Sequence, residues 1–273
     1  MKKIFENVQN NKPLIHHITN YVTVNDCANI QIACGGSPIM ADCIDEMEDM
    51  SNICSGLVLN IGTLNHTQID SMLLAGKNYS QRNKPIILDP VGCGATKLRT
   101  ETTFKLIEEL NLSVIRGNLS EIKTIYNKTG NTKGVDAADE DQINLETIDN
   151  VIKMAHNLAT KLNVIIVITG QMDIISDGKD TYVVKNGHPS MANVSGTGCM
   201  LTSILGAYVA SNPENATKAC AVATAVMGIA GEKANSYVEK HNLGNASLRV
   251  GIINSVSTMT EEILLKGIKI EKF

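Results

Sequence analysis

The stretch Val194-Ser195-Gly196-Thr197-Gly198-Cys199-Met200-Leu201 sets two glycines, a hydroxyl and a thiol directly before an apolar run of helical character. Glycines let backbone N–H groups approach an anion closely, and the start of a helix adds positive potential. Such a turn suits phosphate, and the same potential would draw the Cys199 thiol toward its thiolate. The chemistry these residues suggest is phosphoryl transfer. A tight turn carrying a small buried cysteine would use the same residues, so the reading depends on what lies upstream.

Upstream, polar residues close a series of apolar runs. Asp89 ends one and opens Asp89-Pro90-Val91-Gly92-Cys93-Gly94; Arg116-Gly117-Asn118-Leu119-Ser120-Glu121 follows the next; Thr169-Gly170 ends a third. Open parallel sheets bind ligands outside the carboxyl ends of their strands. If these runs are neighbouring strands, Asp89 and Glu121 face one crevice and can hold magnesium through oxygen or water, while Arg116 meets phosphate. Taken singly, Asp89 is also suited to accept a turn hydrogen bond before Pro90, and Glu121 to be an exposed first-turn carboxylate. Their occurrence beside Arg116 favours a site.

The elements that must position these groups alternate. Strands are predicted over 56–61, 85–89, 112–116 and 164–169, short runs apolar on both faces that imply a parallel sheet covered by helices. Helices are predicted over 67–80, 100–110, 119–128 and 142–162, then 199–210, 213–241 and 250–266, with a polar loop over 129–142. This βαβ series predicts an α/β fold, a three-layer α/β/α sandwich with a mostly parallel central sheet, in one domain spanning 1–273.

Composition agrees with a small-molecule protein. The chain has 273 residues, 43% of them hydrophobic, and a formal charge of −4, which gives no electrostatic reason to bind nucleic acid or an anionic membrane. Six Tyr, three Phe and no Trp argue against base-stacking platforms. The small-residue run from Ala219 to Gly231 is too short to span a bilayer but suits a closely packed core helix. Seven cysteines without CxxC pairs, behind a first segment lacking a signal-peptide core, predict a reduced cytoplasmic protein. Cys27, Cys34, Cys43 and Cys54 miss zinc spacings and are expected to be buried small hydrophobes.

Seven segments occur in an order that is highly specific. They are Pro13-Leu14-Ile15-His16-His17-Ile18-Thr19-Asn20, Gly35-Gly36-Ser37-Pro38-Ile39-Met40, Asn60-Ile61-Gly62-Thr63-Leu64, Asp89-Pro90-Val91-Gly92, Arg116-Gly117-Asn118-Leu119-Ser120-Glu121, Ile168-Thr169-Gly170 and Gly196-Thr197-Gly198-Cys199. Over about residues 13–210 the chain resembles the hydroxyethylthiazole kinases, ribokinase-like enzymes of thiamine salvage. The resemblance implies ATP-dependent phosphorylation of the primary alcohol of 4-methyl-5-(2-hydroxyethyl)thiazole, with magnesium, in a homotrimer whose active sites lie between subunits.

The resemblance further implies that Met40 and Gly196 bind the thiazole, with Asn20 and Gly62 near its pocket, and that Arg116 and Thr169 bind ATP together with the Thr197 and Gly198 turn. Asp89 and Glu121 match its acidic magnesium positions, and Cys199, the expected catalytic residue, stands where many ribokinase-like enzymes carry an aspartate that activates the accepting hydroxyl. A thiolate general base is one role open to it, with positioning and charge neutralisation by the Gly196-Thr197-Gly198 amides, Arg116 and magnesium expected to contribute more. His16 and His17 are expected to wall the pocket or the core. Two further enzymatic readings are a ribokinase-like kinase of hydroxymethylpyrimidine and a dehydratase of hydrated nicotinamide cofactor. Cys199 in place of aspartate counts against both. A non-catalytic thiazole or nucleotide sensor is the third alternative, against which the retained Asp89, Glu121 and Arg116 argue.

Overall fold

Short runs of β-branched and aliphatic residues, each stopped by a polar residue, form the middle of one sheet, of nine strands among the described residues. The computed structural model describes residues 1–129 and 147–273. Its central strands are β1 (Leu14–Ile18), β2 (Ser37–Met40), β3 (Gly56–Asn60), β4 (Ile86–Asp89), β5 (Val114–Asn118) and β6 (Ile165–Thr169), all mutually parallel in the order β2-β1-β3-β4-β5-β6. Three antiparallel strands extend the sheet past β6: β7 (Asp173–Ser176), β8 (Thr181–Val184) and β9 (Ile270–Lys272).

Alternation along the strands divides the core into two halves. In β6, Ile165 and Val167 join one apolar cluster, while Ile166 and Ile168 join the other. The first cluster is completed by α1 (Lys2–Asn11), α2 (Val24–Ala33), α8 (Thr197–Ser211), α9 (Ala216–Lys240), α10 (Asn245–Ser257) and α11 (Glu261–Gly267). The second is completed by α3 (Met47–Ile53), α4 (His66–Gln81), α5 (Lys97–Glu109), α6 (Leu119–Lys128) and α7 (Ile148–Leu162). Helices on both faces explain why the inner strands carry no polar face. The three-layer α/β/α architecture expected from the sequence is the one observed.

The local signals explain most boundaries. Asn65 and Thr96 cap α4 and α5 by accepting from the backbone N–H of Gln68 and Arg99. Asn118 and Glu121 form a reciprocal capping box on α6, which therefore starts at Leu119, as its sequence predicts. The expected helix over 250–266 is instead two: α10 begins earlier, at Asn245, and ends at Ser257, and Thr260 opens α11 by accepting from Ile263 N. A threonine cap restarted the chain where apolar periodicity alone suggested continuity. The long helix α9 embeds the Ala219 to Gly231 run in the core, as expected. The loop expected over 129–142 lies, beyond Thr129, outside the described residues, as does the 142–146 part of the helix expected to end at 162.

Cys27, Cys34 and Cys54 are buried, but Cys43 is exposed, contrary to the sequence reading. It lies just before a short 3-10 turn that follows β2, the edge strand of the sheet among the described residues. Cys93, in the turn after β4, is buried.

Candidate active site

Four adjacent parallel strands, β3 to β6, deliver polar residues to one carboxyl edge. Asn60 and Asp89 are register partners at the ends of β3 and β4, and Asn118 and Thr169 at the ends of β5 and β6. The runs are therefore neighbouring strands, and their polar ends meet along one edge of the sheet. Arg116, a β5 residue whose side chain is only 11% exposed, spans it: Nη1 lies 3.6 Å from Asp89 Oδ1, and Nη2 donates to Thr169 Oγ1 at 2.6 Å.

The start of α8 packs onto this bridge. Gly196 is its N-cap at φ +91°, and a Cβ there would meet Thr23 Cγ2 at 2.5 Å, so both space and backbone require glycine. Thr197, Gly198 and Cys199 form the first helical positions with no side chain capping them. Their N–H groups are the donors a helix start leaves without intrahelical partners, available to an anion. The Cys199 side chain is half-buried.

Asp89 is fully buried. Its Oδ2 accepts from Asn60 Nδ2 at 3.0 Å and Thr202 Oγ1 at 2.7 Å, while Oδ1 has no hydrogen-bond donor among the described residues and lies near the guanidinium. Burial pushes its carboxyl above the ordinary range against the pull of Arg116 and Thr202. Glu121 is also buried rather than exposed, and its two oxygens accept the backbone N–H of Gly92 and Asn118, each at 2.8 Å.

The Cys199 thiol departs from expectation. Burial and the nearby Asp89 carboxylate push it up, against donors on Thr23, Asn60 and Asn20, so the depression that a helix start alone would give is not found. The shift favours the neutral thiol. Its sulfur accepts from Asn60 Nδ2 at 3.3 Å and from Asn20 Nδ2 at 3.4 Å.

Gly62 lies beside this cluster. Its N–H donates to Asn60 Oδ1 and its carbonyl accepts from Arg99 Nη2 at 2.8 Å. It borders a cleft of about 480 Å³ lined also by Tyr21, Thr63, Leu64 and Arg99. Met40 stands further off, half-buried at the end of the edge strand β2, with β1 between it and β3. His16 and His17 are buried in β1, and His17, with its charge desolvated, is pushed down to about 3. Asn60, Thr23 and Thr202 were not singled out from the sequence. Thr202 stands one turn after Cys199, a spacing that places both on one helix face.

The profile described as the hydroxyethylthiazole kinase family matches residues 5–262. The hydroxyethylthiazole kinase of Clostridium acetobutylicum is 48% identical over 273 residues, covering 100% of both chains. The chain belongs to the hydroxyethylthiazole kinase family. That of Alkaliphilus oremlandii is 46% identical over 269 residues, covering 98% of this chain and 96% of the relative. Among solved structures, hydroxyethylthiazole kinase from Pyrococcus horikoshii OT3 superposes with a TM-score of 0.87 at 34% identity, covering 100% of both chains. A ribokinase-like superfamily protein from Enterococcus faecalis V583, at 12% identity and TM-score 0.67, covers 96% of this chain and 95% of its own, and shares the fold.

In this hydroxyethylthiazole kinase family member, the chemistry available at the crevice is anion binding flanked by a thiol. An arginine, unpaired helix amides and a threonine hydroxyl stand on one side, with a buried carboxylate behind them. The donor set also bears on a divalent cation. Among the described residues no three His, Cys, Asp or Glu side chains converge. Two carboxylates remain, and Asp89 Oδ1 is a buried oxygen without a donor. That fits magnesium, which takes one or two carboxylates and fills its shell with water and phosphate oxygens.

Proposed function

We propose that this chain transfers the terminal phosphoryl group of ATP to the primary hydroxyl of 4-methyl-5-(2-hydroxyethyl)thiazole, as a phosphotransferase with an alcohol acceptor in thiamine salvage. The observation that carries the reading is the convergence of Arg116, Asp89 and the uncapped start of α8 on one crevice of a chain belonging to this family. Phosphoryl transfer asks mainly for positioning and charge neutralisation, and these groups supply both.

In this reading Arg116, Thr169 and the amides of Thr197 and Gly198 hold the nucleotide phosphates, and Gly196, Asn20, Gly62 and Met40 frame the thiazole. Cys199 contacts the acceptor hydroxyl as a neutral thiol, so that orientation outweighs proton abstraction. Asp89 would hold magnesium through its free oxygen, and Glu121 through water because both of its oxygens already accept backbone N–H groups. Magnesium, when bound, neutralises charge on the phosphates. Arg116 keeps its guanidinium against the same phosphates through the Thr169 hydrogen bond.

We further propose a homotrimer with sites between subunits, each chain one domain over 1–273, acting in the cytoplasm. Tyr21 and Val22, next to Asn20, are 78% and 64% exposed, and β2, which carries Met40, is an open edge. Exposed apolar residues contiguous with a site suit a subunit contact. No described helix is long and apolar enough to cross a membrane.

The test is ATP consumption by purified protein with the thiazole alcohol and, separately, with hydroxymethylpyrimidine. Thiazole-dependent turnover with formation of the thiazole phosphate is expected. Turnover with the pyrimidine alone, or none with either, would overturn the reading.

A further inference from the structure

Asn60 closes β3 in register with Asp89 and is 1% exposed. Its carboxamide is completely engaged. Nδ2 donates to Asp89 Oδ2 at 3.0 Å and to Cys199 Sγ at 3.3 Å, while Oδ1 accepts from Asn20 Nδ2 and from Gly62 N, both at 3.0 Å. An asparagine offers two N–H donors and one oxygen with two lone pairs, so none is left over. Exchanging N and O would point the donors of Asn20 and Gly62 at an NH2 group and set an oxygen against Asp89, so the partners fix the amide's orientation.

The sulfur is fixed in turn. It accepts from two side-chain amides, those of Asn60 and Asn20, so its own hydrogen is directed away from both. Thiol sulfur is a weak acceptor, and these two contacts add little to stability. Asn20 is itself held by Thr23, whose N–H and hydroxyl both donate to Asn20 Oδ1 at 3.1 Å. Two buried, immobilised amides thus converge on the one atom beside the α8 anion turn where direction matters for chemistry.

We propose that Asn60 is a positioning residue for phosphoryl transfer, holding the Cys199 sulfur between two amide donors so that the thiol is aimed at the acceptor hydroxyl. The inference rests on the phosphotransfer reading above, and Asn60 acts through Cys199. A 1 Å misplacement of a reacting group costs about a hundredfold in rate, which sets the scale of the effect. Asn60 also links the ends of β3 and β4 to the loop after β1, so the sulfur's direction is referred to three strands of the sheet rather than to α8 alone.

Two variants test it. Asn60→Ala removes the carboxamide, and Asn60→Asp keeps its shape and the oxygen facing Asn20 and Gly62 while removing the N–H donors. The first readout needs no substrate: iodoacetamide alkylation of Cys199, resolved by peptide mass spectrometry, with exposed Cys43 as internal standard. The Cys199 to Cys43 rate ratio is expected to change about fivefold or more in whichever variant folds. An unchanged ratio overturns the proposal. The second readout is kinetic. Asn60→Ala is expected to lower kcat about tenfold to a hundredfold with KM for the thiazole alcohol within about twofold, and to have no further effect in a Cys199→Ala background. Equal losses in both backgrounds would reduce Asn60 to a structural strut. A wild-type protein that does not phosphorylate the thiazole alcohol refutes the substrate reading instead, while the alkylation ratio still decides whether Asn60 holds the sulfur.

Discussion

Gly198 is the surface on which the Arg116 guanidinium rests: a Cβ at Gly198 would lie 2.5 Å from Nη1 and 2.8 Å from Nη2. The second glycine of the α8 turn is therefore set by the arginine beneath it as well as by any anion above it. Gly198→Ala is expected to push Arg116 off Asp89 and Thr169, lowering kcat/KM for ATP by about tenfold to a hundredfold. Steady-state kinetics with varied ATP checks this; unchanged kinetics would mean that the guanidinium relocates freely.

Arg116 reaches Asp89 and Thr169 with different nitrogens of one planar group. Lysine has a single nitrogen and cannot reproduce that fork. Arg116→Lys should raise KM for ATP more than KM for the thiazole alcohol, as measured by varying each substrate in turn. A uniform rise in both would assign Arg116 to general stability.

Asp89→Asn should raise the magnesium concentration needed for half-maximal turnover, because it removes the charge of a buried carboxylate whose Oδ1 has no hydrogen-bond donor among the described residues. Titration of activity with magnesium at saturating ATP tests this, with chelation expected to abolish turnover in wild type. An unaltered requirement in Asp89→Asn would remove Asp89 from the metal site.

The Cys199 thiol, pushed above its ordinary value, should alkylate slowly at pH 7 and faster as pH rises through 9. Because the shift favours the neutral thiol, Cys199→Ala should lower kcat by about tenfold to a thousandfold, and the pH profile of kcat should not rise with thiolate formation between pH 6 and 8. A profile tracking thiolate formation in that range would restore a general base.

Asp173, at the start of β7, accepts from Gly170 N at 3.0 Å, and desolvation raises its carboxyl to about 7 despite Arg116. A carboxyl raised on folding binds its proton more tightly in the native state. Its favourable contribution is complete below the unfolded value near 4 and is lost as pH rises through about 7. Asp173→Asn keeps the oxygen facing Gly170 but cannot ionise. The Tm difference, variant minus wild type, should therefore be more positive at pH 8 than at pH 5; a difference that is flat or falls with pH contradicts the shift.

What could be read from the sequence, and what could not, follows from local chemistry. β3 to β6 announce themselves because both faces are apolar and a polar residue stops each run. β1 is obscured by His16 and His17, whose burial only tertiary context reveals, and β2 by Pro38, tolerated because β2 is an edge strand. β7, β8 and β9 are too short, at three or four residues, to carry a period. In the site, Asp89, Arg116 and Thr169 were legible as polar strand ends. Asn60 has the same signature, but the apolar Ile61 after it carried the predicted strand past its true end. The neutral Cys199 thiol was illegible, because its helix position is local whereas the Asp89 carboxylate that opposes ionisation is 110 residues away in sequence (199 less 89).

The carboxylate of Glu121 joins its own helix cap to the Gly92 amide of the preceding βα loop. Two loops that follow neighbouring strands are thus tied together by a single side chain without help from any ligand. Binding in the crevice between them then requires little loss of backbone freedom, and the entropy of ordering that floor belongs to folding rather than to recognition. In amide hydrogen exchange, Gly92 and Asn118 should be slow in the free protein and hardly slower when nucleotide is added.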